Sequence, residues 1–110
     1  SGLARAPVTD ELKKALRQAL DDSEEQVRMR AMATVGHAQL RDPELLAIAL
    51  SRTMASTPKG QRLTAIGCLN DLQWKRDDIL AALQRLSLDP DEDIREAATF
   101  AMKQAQAGTP

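Results

Sequence analysis

Aromatic side chains are nearly missing from this chain: Trp74 and Phe100 are the only two, and there is no tyrosine. A surface that stacks single-stranded nucleic acid needs several exposed rings, so that class is disfavoured. The single cysteine, Cys68, cannot close an internal disulfide, and nothing points to an oxidising compartment. With one histidine, His37, and one cysteine, the usual three- or four-ligand zinc site lacks donors. A net charge of −1 removes the strong positive field expected of a nucleic-acid or acidic-membrane partner. No apolar run approaches the roughly 20 residues of a bilayer-crossing helix. There is no Gly-rich phosphate loop, no Gly-x-Ser-x-Gly turn and no His-Glu-x-x-His pair. No β-branched run alternates with polar residues, so strands are not expected.

What remains is a helical chain. The hydrophobic fraction of 43% is almost all Ala, Leu, Val, Ile and Met, small or branched groups suited to close helix packing. Apolar residues recur every three or four positions, which predicts six helices. The first spans 10–20, with Thr9 as N-cap and Leu12, Ala15, Leu16 and Leu20 as its apolar stripe. The second covers 24–38, with Glu24 and Glu25 at the favourable end of its dipole. Asp42 and Pro43 cap and start a third helix to Ala55. The fourth spans 59–72, the fifth 77–88, and Asp89-Pro90 repeats the cap-then-proline signal before a sixth that ends near Ala105.

The helices come in three similar pairs. Leu12, Leu46 and Ile79 correspond, as do Leu16, Leu50 and Leu83, at spacings of 34 and 33 residues. Arg28, Arg62 and Arg95 follow, then Ala31, Ala65 and Ala98, then Val35, Leu69 and Met102. A period of this length with helical spacing inside it marks stacked helix pairs. The repeated Ala suggests helices too close for a larger residue, and the Arg is placed to reach an acid in a neighbouring unit. Asp22-Ser23-Glu24-Glu25-Gln26-Val27-Arg28 and Asp89-Pro90-Asp91-Glu92-Asp93-Ile94-Arg95, each with Ala three residues on, resemble HEAT repeats of the short bacterial type, also seen in bilin-lyase-like (PBS-lyase-like) proteins. The middle unit departs, with Ser56 for the turn Asp and Gln61 for the apolar residue.

The resemblance implies an all-α fold: an α-α superhelix, a right-handed solenoid of about three HEAT-like helix pairs, six helices in all. One solenoid domain is expected over 8–105, with repeats at 8–38, 42–72 and 76–105. Residues 1–7 are expected to be disordered and to start with a tag scar, Ser1-Gly2; 106–110 are expected to be a disordered tail. Two series run from charged to small or apolar (Arg30, Thr64, Ala97; Lys13, Ala47, Leu80), while Met32, Ile66 and Thr99 turn polar in the last unit. That trend suggests a self-contained solenoid with built-in end caps.

HEAT-like solenoids line their concave face with the second helix of each pair. That implies a seat for a helix or peptide of another protein, formed by Met29, Arg30, Ala33, His37, Leu63, Gly67, Asp71, Glu96 and Phe100. The competing reading of Met29 and Leu63 is packing between repeats. His37, Cys68 and Asp71 could meet as a metal or nucleophilic site, or form a polar rim over a half-buried thiol. Trp74, beside Lys75 and Arg76, could anchor a partner or plug the second unit. Paired acids such as Asp21/Asp22 and Asp77/Asp78 sit at helix starts, where capping explains them. The expected function is non-catalytic protein binding by a bacterial, cytoplasmic, monomeric module with no cofactor and no membrane contact. The alternatives are a regulatory domain or subunit of a larger HEAT-containing enzyme, or a weak nucleic-acid binder.

Overall fold

The computed structural model describes residues 8–107; the expectations for 1–7 and 108–110 lie outside the described residues. The described chain is all-helical, with six helices: α1 (Asp10–Leu20), α2 (Glu25–His37), α3 (Pro43–Ser51), α4 (Lys59–Leu72), α5 (Asp77–Leu86) and α6 (Glu92–Ala107). α1 packs on α2, α3 on α4 and α5 on α6, while α2 packs on α4 and α4 on α6. The second helices therefore form a continuous layer with α4 in the middle, and the first helices lie against it. The envelope of 40 × 38 × 18 Å is about two helix diameters thick in its short dimension.

Local chemistry explains the boundaries. The Thr9 hydroxyl accepts the Leu12 amide at 3.1 Å, and one Asp42 oxygen accepts the amides of Glu44 and Leu45. Burial alone would raise the Asp42 carboxyl, but these bonds and Lys13 hold it below its ordinary value. α6 starts two residues later than expected: its cap is Asp91, which accepts the Ile94 amide, and Pro90 stands outside the helix. α3 stops at Ser51, short of Ala55; in the turn that follows, the hydroxyls of Ser51 and Thr53 donate to the carbonyls of Ile48 and Leu50. α6 runs to Ala107, two residues past the end expected for the third repeat.

The core follows the repeat. Leu20, Leu45, Leu46, Ala49, Ala65, Ile66, Leu69, Leu72, Leu83, Leu86, Ile94 and Ala98 are all buried. Leu12 is 39% exposed, against 2% for Leu46 and 4% for Ile79, because α1 lies at an edge of the assembly. Met32 and Ile66 are buried under the next unit, whereas Thr99 in the same register is exposed.

The three arginines divide their work unequally. Arg28 and Arg95 donate mainly to the backbone of their own turns, at Asp22 O (2.7 Å) and at Asp89 O and Pro90 O (both 2.9 Å). Arg62 alone reaches an acid of a neighbouring unit, Asp89, at 2.6 Å, and also donates to the Thr53 carbonyl. Gln61, which breaks the repeat pattern, is buried and ties units one and two together through Arg28 and Glu25.

The Arg62 guanidinium, followed by the Asp91 amide, holds the Asp89 carboxyl below its ordinary value of 3.8. A carboxyl lowered in the folded state stabilises fully above that ordinary value and loses its contribution as pH falls through the lowered one. Thermal melts from pH 7 to 3 should therefore steepen their decline on the acid side, and Asp89→Asn should flatten it. An unchanged acid slope in Asp89→Asn would remove this pair from the acid response.

Candidate functional site

α4 is covered by α3 on one face and flanked by α2 and α6, so only one stripe of it meets solvent. Along it lie Gly60, Leu63, Thr64, Gly67, Asn70 and Asp71, at helical spacing; Gly60 and Gly67 are exposed and the other four half-buried. His37 of α2 reaches this stripe at Asp71, and Arg30 and Thr34 of α2 and Glu96, Phe100 and Lys103 of α6 are exposed on the flanking helices.

All nine residues singled out from the sequence lie on these three helices, but the structure joins only some of them. His37 and Asp71 meet directly, Nε2 to Oδ2 at 3.3 Å, linking α2 to α4. Met29, Ala33 and Leu63 are half-buried; Leu63 packs on the core, and the Met29 methyl lies 3.8 Å from where a Cβ on Gly60 would be. Arg30, Gly67, Glu96 and Phe100 are exposed. Phe100 shows 57% of its surface and lines, with Glu96, Thr99 and Lys103, an open hollow of ≈ 490 Å³.

Cys68 does not join the His37–Asp71 pair as a nucleophile. Its side chain is buried, and burial, followed by the nearby Asp71 charge, pushes the thiol up to about 12. It is a protonated core residue, and only a thiolate attacks or ligates. Among the described residues, no group of three or more His, Cys, Asp or Glu is placed to hold a metal ion. No helix among them is long and apolar enough to cross a membrane.

A second feature was not visible along the sequence. Where the C-terminal ends of α4 and α6 meet the start of α5, the surface opens into a groove of ≈ 430 Å³. Its floor and walls include Leu69, Leu83, Ala101 and Met102, with Trp74 on one side. Trp74 both packs on the core and walls the groove, with the Arg76 guanidinium stacked 4.8 Å from the ring centroid. Trp74 is half-buried against the core at the end of the second unit, where the plug reading puts it. The groove draws on three helices and a loop distant in sequence. The one linear signal for it is Ala105, which stands in the register of Leu72.

The molecule is an all-α protein of three helix pairs, with a low, glycine-bearing central helix on one face and an apolar groove at one end. No protein-family model, no curated protein and no solved structure matches this chain.

Proposed function

We propose that the chain is a non-catalytic protein-interaction module, a HEAT-like α-solenoid whose contact surface is the face made by α2, α4 and α6. The observation that carries this is Gly67. It lies mid-helix, has no positive φ, and a Cβ there would find nothing within 4 Å. A glycine in a helix interior costs about 1 kcal/mol relative to alanine. Among the described residues nothing in the packing requires it, whereas close approach of a partner's backbone would. Phe100, exposed in the same register on the adjacent helix, supplies an aromatic anchor beside this low point. The partner is a helix or peptide segment of another protein, and a bacterial cytoplasmic setting goes with the HEAT resemblance.

The test is affinity capture from the source lysate with four forms: native, Gly67→Arg, Phe100→Ser and Lys14→Glu. Lys14 is exposed on α1, away from the proposed face. A protein retained by the native and Lys14→Glu forms should be lost by Gly67→Arg and weakened by Phe100→Ser, with helical circular dichroism unchanged in all. Equal capture by all four, or by none, would overturn the reading.

A further inference from the structure

Each junction between consecutive units is held by side chains that reach out of their own unit. Going forward, Arg28 donates to Gln61 of unit two at 3.5 Å, and Arg62 to Asp89 of unit three at 2.6 Å. Going backward, Arg52 donates to the Leu20 carbonyl of unit one, and its counterpart Arg85 to the Thr53 hydroxyl of unit two. The forward series runs out at the third unit. Arg95 stands in the register of Arg62 and lines the open hollow beside Phe100. Among the described residues its guanidinium donates only to its own turn, through Nη1 to the carbonyls of Asp89 and Pro90. Arg62 is buried, whereas Arg95 is half-buried.

The other end of the stack carries the matching acid. Asp22 stands in the register of Asp89, and the two cap alike: Asp22 Oδ1 accepts the Glu24 amide and Asp89 Oδ1 the Asp91 amide, each at 2.9 Å. The second oxygen differs. Asp89 Oδ2 takes Arg62, whereas Asp22 Oδ2 has no hydrogen-bond or ion-pair partner among the described residues. The apolar side of α1 is uncovered at the same end. Leu46 and Ala49 of unit two are buried, as are Ile79 and Ala82 of unit three, but their counterparts Leu12 and Ala15 are exposed. Units two and three each have a unit stacked before them; among the described residues, unit one has none.

We infer that the chain associates head to tail with further copies of itself, the third unit of one copy stacking on the first unit of the next. Arg95 of one copy meets Asp22 of the next as Arg62 meets Asp89 within the chain, and Leu12 and Ala15 pass from water into the contact. Opposite charges at the two ends select this pairing, because like ends would set guanidinium against guanidinium or carboxylate against carboxylate. The two ends are different surfaces, so the contact is heterologous and continues from copy to copy unless its rotation closes a ring. It leaves Gly67 open and does not depend on the partner reading above. It replaces the monomer expected from the sequence with a weak, extendable stack.

Sedimentation equilibrium of the whole chain from about 10 µM to about 1 mM, the range of weak association, should show an average mass rising past that of a dimer. Asp22→Asn keeps an oxygen for the Glu24 amide and removes the charge. It should weaken association by about thirtyfold, as for loss of one partner of a hydrogen-bonded charge pair at an interface. Thr99 is exposed in the register where Met32 and Ile66 lie buried. Thr99→Glu places a carboxylate one turn from Arg95, where it takes the guanidinium in place of Asp22, and should block the other end equally. Each variant keeps one working end, so a mixture of the two should form a 1:1 dimer and nothing larger. Unchanged helical circular dichroism verifies that both variants fold. The inference is overturned by a native chain that stays monomeric, by association that stops at two native copies, by undiminished association of Asp22→Asn, or by a mixture that stays monomeric.

Discussion

Arg62→Ala should destabilise the fold by about 2–3 kcal/mol, the loss expected when a buried charged donor leaves its acceptors. Arg62 is 7% exposed and sits where three segments converge. Its Nε donates to the carbonyl of fully buried Thr53 at 3.1 Å, and its Nη2 meets Asp89 at 2.6 Å. Asp89 in turn accepts the Asp91 amide at the entry to α6. One guanidinium thus joins the end of α3, the start of α4 and the α5–α6 turn. Removing it leaves a buried carbonyl and a carboxylate without their donor. Arg62→Lys should recover little, since an ammonium cannot serve two acceptors in the fork geometry of a guanidinium. Arg28→Ala should cost about 1 kcal/mol, an ordinary hydrogen-bond loss at a half-buried position. Urea denaturation of the three variants checks this through the midpoint at constant slope. Equal losses in Arg28→Ala and Arg62→Ala would mean the cross-unit bond carries no extra stability.

Gly36→Ala and Gly67→Ala should shift stability in opposite directions, although both replace a helical glycine. At Gly36 the added Cβ would lie 2.9 Å from the Cys68 Cα and 3.3 Å from its carbonyl oxygen. Both are backbone atoms, so relief requires α2 and α4 to separate, loosening Val35 and Leu69 in the core between them. Overpacking of this kind costs about 1–3 kcal/mol, partly offset by the helix preference of alanine. The net expectation is a loss of about 1–2 kcal/mol. At Gly67 there is nothing to displace, and only the helix preference remains, a gain of about 0.5–1 kcal/mol. Thermal or urea melts of both variants give the signs. A gain in Gly36→Ala would show that the helices separate at no cost. A loss in Gly67→Ala would mean that glycine has a packing role within the chain.

Much of the architecture was legible because its causes are local. The three-to-four spacing of Leu12, Ala15, Leu16 and Leu20, with Leu46, Leu50, Ile79 and Leu83 in register, predicted the first-helix stripes; Leu16, Leu20, Leu46, Ile79 and Leu83 are buried and Leu50 half-buried, whereas Leu12 and Ala15 on the edge helix are exposed. Thr9 and Asp42 cap as read from their positions, since capping involves neighbours two or three residues away. Asp89 misled because it has two tasks open to it. Its carboxylate goes to Arg62 in another unit, and the capping falls to Asp91. Gln61 reads as a lapse in the pattern, yet it is buried and satisfied by two polar partners, a role only the stacking of α2 on α4 creates.

The sequence by itself determined the helices, their pairing and their period, because helix periodicity, caps and turn residues act over a few positions and repeat. Tertiary structure alone decided which equivalent residues do equivalent work. Gly36 and Gly67 look alike until the distance to the next helix separates a tight contact from open space. Arg28, Arg62 and Arg95 share a register, yet only the one in the middle unit has an acid of the next unit within reach. Leu72 and Ala105 share a register, yet Leu72 is fully buried while Ala105 lines a groove. These outcomes depend on how closely segments far apart in sequence approach one another, 27 residues apart for Arg62 and Asp89. Interior packing is dense enough that such differences decide between contact and cavity.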